Sequence, residues 1–143
     1  MMTENPASLT ATRTGMARSL LHEIARHLSK LEGCGEASAI DLRSLPMTQA
    51  DREELEELLG CGDVDITLKA AGKSEIWETR FSGVWWVRHF SGDDRIAAET
   101  IEITSIPEIL IAHRSDISAA SKRLEREISA LQEMRSQEEV RHG

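Results

Sequence analysis

The chain has 143 residues, a length at which one domain is the expectation and a core can form without disulfide or metal staples. Its 17 Lys and Arg stand against 25 Asp and Glu, a formal net charge of -8. That balance argues against nucleic acid or an anionic membrane surface as the main partner, because either would repel the chain at long range.

No run approaches the roughly 18 apolar residues that a membrane span needs. The opening Met1-Met2-Thr3-Glu4-Asn5-Pro6 has no basic stretch followed by an apolar one, so no secretory signal is visible and a cytoplasmic location is expected. Cys34 and Cys61 are too few for a disulfide framework. The sequence has no Tyr, and its Trp and Phe residues all lie between Trp77 and Phe90, so any aromatic anchor must come from that window.

Residues 1–14 are small and polar and read as a flexible tail. Ala17, Leu20, Leu21, Ile24, Leu28 and Leu31 follow helical spacing, and Gly33 suits a C-terminal cap, which gives a first helix over 15–32. Residues 38–46 read as an extended connector or edge strand stopped by Pro46. Thr48 and Asp51 form a shortened capping box for a second helix, with Leu55, Leu58 and Leu59 as its buried stripe and Gly60 at its end. Four strands follow, around Val64–Leu68, Glu75–Phe81, Val84–Phe90 and Ile96–Ile103, joined by turns at Ala71-Gly72-Lys73, Ser82-Gly83 and 91–94. Pro107 suits the start of a short helix through Leu110. Ser115 or Asp116 caps a long last helix with Ile117, Leu124, Ile128 and Leu131 on one face, and residues 136–143 are expected to fray. The fold class is α+β: a four-stranded antiparallel meander packed with helices, the single domain running over 15–135.

Opposed residues of an antiparallel pair point the same way. A two-residue turn at Ser82-Gly83 therefore places Val64, Ile66, Leu68, Trp77, Phe81, Val84, Trp86, Phe90, Ile101 and Ile103 on a core face. The other face carries Ile76, Trp85, Val87, Ile96 and Ala98, rimmed by Glu78, Arg80 and His89. An apolar centre with a polar rim is the anatomy of a partner surface, unless the last helix covers it. Trp85 is its expected anchor, so Trp85→Ala should weaken partner binding and leave thermal stability nearly intact. Arg88 falls on the core face near Trp77 and Glu99, where a cation–π contact and an ion pair make it structural.

Catalytic patterns are weak. His22 and His27 are five apart, not the four that a zinc helix needs. Cys34 and Cys61 sit in a repeated Gly-Cys-Gly, each without a second ligand at metal spacing, and read as small-site fillers beside helix caps. Glu53, Glu54, Glu56 and Glu57 read as a solvated helix face. His89, a lone strand histidine, reads as an interface or hydrogen-bonded residue. No catalytic residue, metal site or cofactor is assigned.

Four segments lie in a specific order: Ile40-Asp41-Leu42-Arg43-Ser44-Leu45-Pro46, Ser74-Glu75-Ile76-Trp77-Glu78-Thr79, Gly83-Val84-Trp85-Trp86-Val87-Arg88-His89, and Glu99-Thr100-Ile101-Glu102 with Pro107-Glu108-Ile109-Leu110. In these the chain resembles the C-terminal conserved region of the HupH/HoxQ/HyaF hydrogenase expression proteins. The resemblance implies a non-enzymatic accessory protein, a chaperone or scaffold in [NiFe]-hydrogenase maturation, with the iron–sulfur-containing small-subunit precursor as partner. Typical members are about twice as long as this chain, so homodimerisation is one expectation. Two other readings stand beside it: an iron–sulfur or metal carrier using Cys34 and Cys61, and a structural homodimer module. The expected partner-binding residues are Trp85, Val87, Ile76, His89, Arg80 and Glu78.

Overall fold

The computed structural model describes residues 11–69 and 71–142. In chain order the elements are α1 (Met16–Cys34), β1 (Ser38–Asp41), a 3-10 turn (Leu42–Ser44), α2 (Gln49–Leu59), β2 (Asp65–Leu68), β3 (Lys73–Glu78), β4 (Val84–Phe90), β5 (Ile96–Ile103), a second 3-10 turn (Glu108–Leu110) and α3 (Arg114–His142). The described residues fall into two compact units, one ending at Pro107 and the other beginning at Glu108. The first holds the sheet, α1 and α2; the second is α3 with the turn before it.

The sheet has five antiparallel strands, in the order β1-β5-β4-β3-β2, not four. The meander runs through β2 to β5 as expected, and the connector before Pro46 adds the fifth strand. Ile40 of β1 lies opposite Ile101, so its apolar side chain joins the core while β1 covers the free edge of β5.

Local chemistry sets the helix ends. Gly35, not Gly33, closes α1: it takes the left-handed conformation (φ 71°) and its N–H bonds to Leu31 O at 3.0 Å, the usual device for satisfying a last-turn carbonyl. Thr48 and Asp51 form the reciprocal capping box of α2. At Gly62 a Cβ would lie 2.7 Å from Thr79 O, so the second Gly-Cys-Gly owes one glycine to close main-chain contact with β3.

The core lies between one sheet face and the two helices: Ala17, Leu20 and Ile24 from α1, Leu55 and Leu59 from α2, and Trp77, Val84, Trp86, Ile101 and Ile103 from the sheet. Trp77 and Trp86 stack, with centroids 5.5 Å apart and planes at 6°. Arg88 lies over Trp77 at 5.1 Å. Its Nε donates to Glu99 Oε2 at 2.6 Å, and Trp86 Nε1 donates to the same oxygen at 3.0 Å. Arg52 of α2 places Nε 3.2 Å from Glu99 Oε1. Glu99 is fully buried, and two guanidiniums and an indole surround it, the pairing that a buried carboxylate needs.

Several side chains take other positions than the sequence suggests. The loop of the β3–β4 hairpin runs from Arg80 to Gly83, because Thr79 N–H bonds to Val84 O. The register therefore moves by two residues, and Trp77 pairs with Trp86. A shift of two keeps every β3 and β4 side chain on its face, but it leaves Phe81 in the loop, 42% exposed rather than in the core. Ile66 pairs with Ile76 and Leu68 with Ser74, which turns both β2 residues away from the core face. A bulge between His89 and Phe90 pairs Phe90 with Ile96, so the strict alternation that assigned Ile96 fails there.

The expected solvated face of α2 is half engaged. Glu54 is buried and meets Arg13 at 3.1 Å, and Glu56 meets Arg88 at 3.5 Å. The tail expected over 1–14 is tethered in its described part: Thr48 Oγ1 donates to Thr12 O, and Thr14 donates to Asp51 through both N–H and Oγ1. Residues 1–10 lie outside the described residues. The fraying expected over 136–143 gives way to helix through His142; Gly143 lies outside the described residues.

Burial raises the pKa of Asp51, but hydrogen bonds from Thr14 and Thr48 outweigh it and hold the carboxyl below its ordinary value. A folded-state pKa below the unfolded one gives stability that is present above the unfolded value, about 3.9, and lost as pH falls through the folded value. Thermal midpoints measured between about pH 2 and 6 should fall in acid, and Asp51→Asn should flatten that limb. Glu99→Ala leaves two cations without their carboxylate and should cost about 3 kcal/mol in urea unfolding.

Candidate partner-binding surface

The face of the sheet away from the core is built by alternation alone. Val87 lies opposite Ile76 and Thr100, Trp85 opposite Glu78 and Glu102, and His89 opposite Ser74 and Ala98. Five of the six residues expected to bind a partner thus share one face: Trp85, Val87, Ile76, His89 and Glu78. Ile66 and Leu68 extend it along β2.

Burial corrects the use expected of that face. Ile76 is 0% exposed, Val87 2% and Trp85 5%. Trp85 Nε1 also donates to Thr104 O at 3.1 Å, which satisfies the indole inside the protein. These three side chains are packing residues. Glu78 and His89 are half-buried, and His89 Nδ1 shares a 2.6 Å hydrogen bond with Ser74 Oγ.

Arg80 leaves the group. It sits in the hairpin loop, and its Nε and Nη2 donate to Leu58 O at 3.2 and 3.1 Å. A guanidinium on a last-turn carbonyl of α2 is a C-terminal cap that also suits the helix dipole. Sequence spacing gave no sign of this, because it depends on the return of the β3–β4 hairpin to α2.

The exposed apolar surface lies elsewhere. On α3, Ile117 is 57% exposed, Leu124 59%, Ile128 46% and Leu131 65%. At 100° per residue these four fall within an arc of about 60° and run about 21 Å along the helix. The spacing of this row was legible in the sequence; its exposure was not. Cys34 and Cys61 are both exposed thiols, and among the described residues no group of three or more His, Cys, Asp or Glu is placed to hold a metal ion. No helix among the described residues is long and apolar enough to cross a membrane.

Residues 15–131 match the family model for the HupH hydrogenase expression protein, C-terminal conserved region. The chain therefore belongs to this hydrogenase expression protein family. It is 33% identical to the hydrogenase expression/formation protein HoxQ of Azotobacter vinelandii over 73% of this chain and 36% of that protein. It is 31% identical to the hydrogenase-1 operon protein HyaF of Escherichia coli K12, again over 73% and 36%. Its structure is similar to that of the hydrogenase expression protein HupH from Thiobacillus denitrificans, with a TM-score of 0.81 and 41% identity, covering 83% of this chain and 99% of that one. The chain thus spans just over a third of the length of these curated relatives, and matches nearly all of the solved chain.

Trp85→Ala is now expected to act on stability. Removing a buried Trp costs about 3–5 kcal/mol, so its thermal midpoint should drop by several degrees. An unchanged midpoint would mean that Trp85 is not packed as described.

Proposed function

We propose that this chain is an accessory protein of hydrogenase maturation, working in the cytoplasm as a chaperone or scaffold by transient protein binding. Its proposed client is the hydrogenase small-subunit precursor. The observation that carries this reading is the family match over residues 15–131. The client itself rests on the resemblance of the four sequence segments.

The binding surface we assign is the apolar row of α3; on the sheet unit, Glu78 and His89 are proposed as separate polar contacts. Exposed apolar patches mark interaction sites. A row of four side chains is small beside the interfaces of permanent complexes, and small interfaces belong to transient ones. Trp85, Val87 and Ile76 support the sheet face from within instead of touching the client.

The same row favours one rival. Its spacings of seven, four and three are close to a coiled-coil seam, which suits self-association of two copies.

An anaerobic pull-down with the unprocessed small subunit tests both readings. Wild type should capture it, and Leu124→Asp/Leu131→Asp should lose at least about tenfold, since each buried Leu is worth about 1.5–3 kcal/mol. The variant's thermal midpoint should stay near wild type because both sites are exposed. Equal capture by the two proteins would remove α3 from the surface, and capture by neither would remove the client. A wild type of twice the variant's mass in light scattering would give the row to self-association.

A further inference from the structure

The side of α1 turned away from the core carries Arg18, His22, Arg26 and Lys30, each four residues after the last and all exposed. Ala17, Leu20 and Ile24 bury the opposite side. Four-residue steps advance about 6 Å each, so the row is about 18 Å long and winds slowly around the helix. Small side chains lie between the bases: Ser19, Ala25 and Ser29, all exposed.

Two features set this row apart. Arg26 and Lys30 are like charges at four-residue spacing, which destabilises a helix, and they stand in a chain of net charge -8. The row is also unneutralised. Among residues 11–107 every other Lys or Arg except Lys69 is paired with a carboxylate or a main-chain carbonyl. Arg18, Arg26 and Lys30 have no such partner among the described residues. Glu23, on the same helix, instead lies with Oε1 3.6 Å from His27 Nε2.

We propose that Arg18, Arg26 and Lys30, with His22 between them, form a docking surface for an acidic helical segment of a partner protein. Glu or Asp at every fourth position of such a helix repeats at the same spacing of about 6 Å. The small residues between the bases let the two helices approach. A phosphate polyanion fits less well: beyond one short row, its field would meet an acidic protein. Complementary charge of this kind speeds encounter and sets register. The proposal does not depend on the client named above.

Fluorescence anisotropy with a labelled peptide of about 20 residues, Glu at every fourth position and Ala or Gln between, tests it directly. Wild-type protein should bind, with affinity falling about tenfold or more as NaCl rises from about 50 to 300 mM. Arg18→Glu/Arg26→Glu/Lys30→Glu should abolish that binding and instead bind the matching peptide with Lys in place of Glu. Lys122→Glu/Arg123→Glu/Arg126→Glu, with the same change in net charge on α3, should bind the Glu peptide within about twofold of wild type. The neutral variant Arg18→Gln/Arg26→Gln/Lys30→Gln should lose the Glu peptide without gaining the Lys peptide, and serves should the reversed one fail to fold; circular dichroism checks each. No binding by wild type, equal loss in both Glu triples, or tighter binding of a DNA duplex than of the peptide would overturn the proposal.

Discussion

The buried carboxylate of Glu99 organises the sheet unit. It has no exposure at all, and it accepts from Arg88 and Trp86 on the neighbouring strand. A buried charge is tolerable only when paired and hydrogen-bonded. That requirement places α2, which must bring Arg52 to the second oxygen. Arg88 in turn reaches Glu56 on α2 and covers the ring of Trp77. Strands β3, β4 and β5 and helix α2 are thereby joined through one network. The capping box and the Thr14–Asp51 bonds then hold the start of α2.

Trp85 and Trp86 show how the strand divides its labour. They are adjacent, so the pleat sends them to opposite faces. Each finds an internal acceptor, Trp85 at Thr104 O and Trp86 at Glu99. A strand buried on both faces is a rigid support and offers little contact surface. In the proposed reading, partner contact falls to exposed helix faces. The row proposed on α3 is apolar and would act at short range; the row proposed on α1 is basic, and its field would reach about 8–10 Å at ordinary salt.

The matched region has its own core. Its longer relatives have nearly three times its matched length, yet a solved chain of the family is matched almost end to end. The cluster around Trp77 and Trp86 and the network around Glu99 draw all their described members from residues 13–103.

Much of the fold is local chemistry and could be read directly. The Thr48–Asp51 capping box, the β2–β5 meander and the face of each β3 and β4 residue follow from residue type and from an alternation of two, which survives a register change of two. Arg88 beside Trp77 and Glu99 was legible for the same reason. What tertiary structure alone decided is who is covered. Trp85, Val87 and Ile76 have the pattern of a partner surface and are buried; Ile117, Leu124, Ile128 and Leu131 have the pattern of a buried seam and are exposed. Arg80 left the rim for the end of α2, and Ile66 and Leu68 changed face because the β2–β3 register is set by a loop with no strong turn signal. Periodicity states that a face is apolar. Which element lies against it is a matter of long-range placement, and no local pattern encodes that.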